Sequence, residues 1–317
     1  MDVIAAIVRR YGIMSLIKDK YTKYLIALAP IAWGLNPSFM KIAYRYVNPL
    51  TMNCLRLFMA FVFFLVFIRA TGRLRQENFI KVASDTKLLM FIFVVFQVCY
   101  SIGISMVTAS ITGIVFGMLP VTVLVINLLT GDEKVSGITI VSVIMSIVGV
   151  VIIMMSGNRT GGGVSPLGFI LVLAAQISYG IFTVESKKKV RKHNPIVMTM
   201  VATVPSALVF LLFSFKDLFS FDYGTIPFEG WLGIVFSGVI GMGIANAIWM
   251  WGAGKIGSTK LSLYNNLNPV AALTGAFIML GERLNAFQYM GVAVIFAAIL
   301  LSQYQPKVKT RKTNKMI

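Results

Sequence analysis

Amides, hydroxyls and aromatic rings recur at helical spacing inside runs of otherwise apolar residues. Trp33, Asn36 and Met40 stand at i, i+3 and i+7. Gln97, Ser101 and Thr108 approximate a second face, with Tyr100 beside it. Gln176, Tyr179 and Thr183 line up on a third, and Asn246 and Trp249 are three apart. Asn265, Asn268 and Ala272 repeat the pattern, with Tyr264 adjacent. Residues three and four apart share one side of a helix. A polar side chain in hydrocarbon is costly unless it has a partner or faces a wet cavity. Together these faces offer amides for polar ends, rings for apolar ones, and almost no fixed charge. That set suits a neutral, zwitterionic or amphipathic solute. Each amide reads equally well as interhelical glue. The cluster Asn265, Asn266 and Asn268 reads first as cavity or hinge. Trp249 and Trp251 read alternatively as an interfacial aromatic belt.

Other chemistries find little support. The single histidine, His193, lies in a lysine-rich loop and reads as a solvated base, so no histidine metal site or triad is expected. Cys54 and Cys99 fall inside apolar runs and give no disulfide framework or metal spacing. No G-x-S-x-G or H-E-x-x-H is present. No acidic residue lies in mid-span, which counts against a proton relay. Gly161, Gly162 and Gly163 lack the Lys-Ser/Thr ending of a phosphate loop and read as a turn. The expectation is no metal, no cofactor and no enzymatic activity.

Pro37, Pro120 and Pro269 sit in apolar runs, where proline removes a donor and bends a helix. They are candidate hinges or gates, and static kinks fit equally. The spacings Gly113–Gly117 and Ser237–Gly241 read as close packing surfaces. Arg56 lies well inside a span boundary. Its stem is expected to reach the outer interface, with a structural ion pair or a solute carboxylate as the other readings. Glu133 and Glu282 read as helix-turn corners, their carboxylates serving backbone donors of the next helix.

The elements that position these residues follow from composition. The chain has 317 residues, 57% hydrophobic and only 13% charged, with a mean hydropathy of +0.83. Soluble domains are about 25% charged. Apolar runs of roughly twenty residues suit a bilayer core about 30 Å thick. We expect an all-α polytopic membrane protein with ten transmembrane helices, near 24–44, 51–69, 88–107, 109–129, 136–155, 166–185, 196–215, 230–250, 259–280 and 286–304. The third and fourth nearly fuse at Val107 to Ser110. Of the 29 Lys and Arg residues, Lys41, Arg45, Arg56, Arg159, Lys216 and Arg283 fall on one side and the remaining 23 on the other. Short basic loops stay cytoplasmic, so both termini are expected there, in the cell membrane. The net charge of +18 is therefore topological. It marks anionic lipid, not nucleic acid, as the partner.

The halves echo each other. Trp33-Gly34, Lys41, Arg45 and Pro49 recur as Tyr179-Gly180, Lys187, Arg191 and Pro195 at an offset of 146. Pro120 and Glu133 recur as Pro269 and Glu282 at an offset of 149. An odd number of spans per half makes the repeats inverted, a device for alternating access to a central site. The expected units are a basic segment 1–23 lying as an interfacial helix, a first repeat 24–155, a Gly-rich external linker 156–165, a second repeat 166–304 and a basic tail 305–317.

At these residues the chain resembles the EamA family of the drug/metabolite transporter superfamily. The resemblance rests on Ala32 to Pro37, Asn48-Pro49-Leu50-Thr51 with Leu55-Arg56-Leu57, and Leu119-Pro120-Val121 leading to Gly131-Asp132-Glu133-Lys134. It continues with Asn268-Pro269-Val270-Ala271 leading to Leu280-Gly281-Glu282-Arg283. It implies two inverted five-helix repeats around a central cavity, and a small metabolite, often an amino acid and frequently exported. The first half departs from the family's Gly-Glu-Arg corner, reading Gly131-Asp132-Glu133-Lys134. An organophosphate or nucleotide-conjugate exchanger, and a non-transporting membrane protein or intramembrane enzyme, are the alternatives. Monomer and homodimer both stand open.

Overall fold

The computed structural model describes residues 19–70, 78–130, 137–156 and 165–303. Most of the segment 1–23, the linker and the tail, and also Glu133, lie outside the described residues. Among those described the fold is helical: α1 (Asp19–Ala43), α2 (Pro49–Ala70), α3 (Phe79–Met106), α4 (Ala109–Gly117), α5 (Leu119–Leu129), α6 (Gly137–Ser156), α7 (Pro166–Lys189) and α8 (Pro195–Ser220). After a short 3₁₀ turn, α9 (Phe228–Val235) runs through a π-helical stretch, Phe236–Ala245, into α10 (Asn246–Ile256). Then come α11 (Ser258–Tyr264), α12 (Leu267–Leu280) and α13 (Ala286–Gln303). Among the described residues, seven helical runs are long and apolar enough to cross a membrane: α1, α2, α3, α4 with α5, α7, α8, and α9 through α10. Shorter apolar stretches lie within α6 and α13.

Local chemistry explains the boundaries. Asn78, Ser165 and Asn194 accept the first free backbone N–H groups of α3, α7 and α8. Pro166 and Pro195 open their helices where no donor is needed. Lys187, Lys188 and Lys189 meet the negative end of α7. Gly281, at φ 66°, closes α12 in the left-handed region. The turn expected at 107–110 is confined to Val107 and Thr108, and the Thr108 side chain caps α4.

The radial pattern is inside out. On α2, Phe58 is 60% exposed while Asn53 and Arg56 are buried. Leu212, Phe213, Ile278 and Leu300 are similarly exposed on other helices. Apolar side chains face outward and polar ones inward, as a hydrocarbon surround requires. Two expectations and one alternative reading are corrected. Trp249 and Trp251 are buried and form no interfacial belt. His193 is not a solvated base: its ring is buried, and its Nε2 lies 2.9 Å from Oδ2 of the more exposed Asp85. Arg56 does not reach the interface: it is 1% exposed.

Helix α1 packs on α12, α2 on α8, α3 on α7 and α6 on α13. Close approach requires glycine at two points. A Cβ on Gly113 would strike the Ala272 Cβ, and one on Gly117 would come within 2.6 Å of Pro269 Cγ.

Candidate functional site

Two broken helices meet at the centre. The run α4–α5 is interrupted at Met118, just before Pro120. The run α11–α12 is interrupted at Asn265 and Asn266, just before Pro269. Both prolines therefore stand in the first turn of a new helix, where a missing N–H removes no helical bond. They are not mid-helix kinks. Pro37 does lie inside a helix, and α1 continues through it. At the crossing, Asn265 Nδ2 donates to the carbonyl of Phe116 at 2.5 Å.

Beside this crossing lies a pocket lined by Trp33, Asn36 and Pro37 of α1, Arg56 of α2, and Phe96 and Tyr100 of α3. Thr112, Gly113 and Phe116 of α4, Tyr179 of α7 and Gly241 and Met242 of the π-helical stretch continue the wall. Asn246, Asn265 and Asn268 complete it. Space open to water-sized molecules is about 40 Å³, room for only a few waters. A larger polar opening of about 470 Å³ lies toward the C-terminal end of α1, beside Lys41, Arg45, Ser105, Thr108 and Glu282.

The pocket's polar groups are held by specific bonds. Trp33 Nε1 donates to Gly241 O at 2.8 Å. Asn246 Nδ2 reaches the same carbonyl at 3.1 Å, and its Oδ1 accepts from Tyr179 at 3.0 Å. Gly241 O, in the π-helical stretch, thus accepts from one side chain of α1 and from one five residues on in its own helical run. Asn36 Nδ2 donates to Tyr100 Oη at 3.2 Å. Trp33 meets Tyr179 edge-on at 5.3 Å between centroids and Trp249 at 5.0 Å, closing one side with rings.

Seven residues singled out for a cavity line this pocket: Trp33, Asn36, Tyr100, Tyr179, Asn246, Asn265 and Asn268. Four others stand behind it or away from it. Trp249 backs Trp33 and donates to Thr183 Oγ1 at 3.2 Å. Gln97 accepts from Arg56 at 2.5 Å. Gln176 accepts from Thr122 at 3.0 Å, tying α7 to α5. Tyr264 ends α11, half-buried against the core. Glu282 departs from its expected role: it serves α4 of the other half, not the next helix. Its carboxylate accepts from Ala109 N at 3.0 Å, Ser110 N at 2.9 Å and Ser110 Oγ at 2.7 Å. Phe96, Phe116 and Met242 had no distinguishing signal, because apolar pocket walls and lipid-facing surfaces use the same residue types.

Apolar side chains outside, polar ones inside and a pocket at the crossing of broken helices define a multi-span helical membrane protein. The chain belongs to the EamA-like transporter family, whose model matches residues 21–155 and again 166–304. Its relatives include an uncharacterized transporter of Archaeoglobus fulgidus, 24% identical over 277 residues, covering 87% of this chain and 96% of the relative. A probable amino-acid metabolite efflux pump of Salmonella typhimurium is 24% identical over 301 residues, covering 90% and 96%. Its Escherichia coli namesake is 22% identical, covering 88% and 94%. A solved structure described only as a crystal structure of protein shares the fold with a TM-score of 0.60 at 16% identity, covering 88% of this chain and 95% of that one.

Proposed function

We propose that this protein is a secondary carrier that moves a small neutral, zwitterionic or amphipathic metabolite, an amino acid or a related compound, outward across the cell membrane. It is a carrier and not an enzyme. It works by alternating access through the central pocket, in ten spans arranged as two inverted five-helix repeats, with both termini cytoplasmic.

The observation that carries this reading is the pocket's position at the crossing of α4–α5 with α11–α12, walled by residues from both halves. The packing supports the repeat. At the offsets of 146 and 149, α2 is the counterpart of α8 and α6 of α13, and each packs on its counterpart. The two broken helices do the same through α4 and α12. Exchanging the conformations of two such halves would open one central site to alternate sides. The limited space in the pocket fits a closed state that must widen to admit a solute. Outward movement of an amino acid is supported by the Salmonella and Escherichia relatives, each a probable amino-acid metabolite efflux pump. The exchanger alternative fits less well, since a phosphate favours several bases and, among the described residues, Arg56 is the one base lining the pocket.

The test is direct flux through vesicles containing the purified protein, screened against metabolites and drugs. Saturable movement of amino acids or similar amphipaths is expected. Movement confined to multiply charged phosphates would favour the exchanger, and no movement of any solute would remove the transport reading.

A further inference from the structure

We propose that Arg56 receives a carboxylate of the carried solute, and that the amide oxygens of Asn36 and Asn268 receive its N–H groups. The assignment rests on the transport reading above and narrows it to solutes that carry an acid group.

A guanidinium stays protonated in proteins, so burial does not neutralise it. Arg56 is 1% exposed and faces the pocket from within a membrane-spanning helix. Its surroundings are neutral. Nη2 donates to Gln97 Oε1 at 2.5 Å and Nη1 to Ser237 Oγ at 3.2 Å. Nη1 also lies 3.6 Å from the Met40 sulfur, and the guanidinium stands 5.6 Å from the centre of the Tyr100 ring. Among the described residues the one ion pair of a lysine or arginine is Lys188–Glu185, and the polar contact His193–Asp85 is the other acid–base contact; both are away from this site. A buried full charge with only dipolar neighbours lacks its compensating partner.

One donor of the fork is unused. Arg56 Nε is buried without a hydrogen-bond partner. Gln97 Nε2 donates to the Met242 sulfur at 3.2 Å, which turns its oxygen onto the guanidinium and orients the fork. A carboxylate suits that planar set of donors. The acceptors complement it. Asn36 Oδ1 and Asn268 Oδ1 are buried, line the same pocket and have no donor. Asn36 is beside Arg56, since its Nδ2 lies 3.4 Å from the same Met40 sulfur. One cationic fork and two orphan acceptors match a solute with an acid at one end and N–H groups nearby, while Phe96, Tyr100 and Phe116 suit its apolar part.

The L-amino acids and their carboxamides provide the probes. They are titrated onto the purified full-length protein at about pH 6, below the usual α-amino pKa, so that acid and amide both keep the ammonium. Thermal stabilisation reports binding and vesicle flux reports movement. At least one amino acid is expected to bind and move, with its amide weaker by about tenfold or more. Arg56→Gln is expected to erase that preference, and Arg56→Lys to retain part of it. The wild-type comparison needs no variant and stands if Arg56→Gln fails to fold. Equal affinity for acid and amide overturns the assignment, as does an acid preference surviving in folded Arg56→Gln. Stabilisation by chloride without acid preference transfers the site to an inorganic anion. Flux of other solutes with silence across the acid panel also overturns it, while leaving the transport reading standing. Absence of all flux removes the transport reading instead.

Discussion

Asn265 Nδ2 donates to the carbonyl oxygen of Phe116 at 2.5 Å, and the two residues are 149 positions apart. The same offset relates Pro120 to Pro269 and Glu133 to Glu282. The bond therefore joins equivalent points of the two halves, each at the break of its own helix. An interrupted helix leaves carbonyls without intrahelical donors, and here an amide of the opposite half supplies one.

Asn265→Ala should remove that carbonyl's side-chain donor and destabilise the fold by about 1–3 kcal/mol. A lowered melting temperature in detergent, together with slower vesicle flux, is the expected result. Unchanged stability and flux would show that the crossing does not depend on this bond.

Much of the pocket was legible because polar residues in apolar runs are expensive and must face something. Trp33, Asn36, Tyr179 and Asn268 were identifiable on that ground alone. Arg56 was misread because its position along a span gives depth but not direction, and only packing showed that it points inward. The π-helical stretch left no signature, since widening a helical turn needs no special residue type. The breaks were marked by Pro120 and Pro269, but one proline cannot say whether a helix bends through it or starts again before it. Glu282 was placed at a corner correctly, while its bonds to α4 depend on a contact 172 and 173 residues distant.

The closest approach of α4 and α12 gives a reciprocal test. A Cβ on Gly113 collides with the Ala272 Cβ, and its next neighbours stand at 3.5 and 3.8 Å. Gly113→Ala should cost about 1–3 kcal/mol through overpacking. Adding Ala272→Gly removes the colliding atom and should recover most of the loss. Thermal melts of the two singles and the double measure the coupling, and additivity of the two penalties would contradict the packing.

Glu282 holds the start of α4 through two backbone N–H groups and the Ser110 hydroxyl. Glu282→Ala should cost about 1–3 kcal/mol by stranding those donors. Glu282→Gln keeps an acceptor oxygen and should lose less. Equal melting temperatures for wild type and Glu282→Ala would remove the capping role.

The proposed orientation places the α8–α9 connection outside and the end of α7 inside. Thr225 is exposed and Lys189 is half-buried, each the last residue of its element. With Cys54 and Cys99 replaced, Thr225→Cys should react with an impermeant thiol reagent in intact cells, whereas Lys189→Cys should react only after permeabilisation. Labelling of Lys189→Cys from outside would overturn the ten-span arrangement.

Pro269 separates binding from movement. It stands in the first turn of α12, with its ring filling the space that Gly117 leaves open. A residue with an N–H at this position could donate to the carbonyl of Asn265, four residues back, and begin to fuse α11 with α12. Proline forbids that bond and keeps the interruption. If the interruption is the joint about which the two halves exchange conformations, Pro269→Ala should stiffen it. Equilibrium binding of a transported solute should stay within about twofold of wild type, because the pocket's polar groups remain; that is a change of about 0.4 kcal/mol. Exchange across vesicles should slow by about tenfold, corresponding to a barrier raised by about 1.4 kcal/mol. Paired binding and exchange measurements distinguish this from simple damage, which lowers both. An exchange rate equal to wild type would identify the break as static.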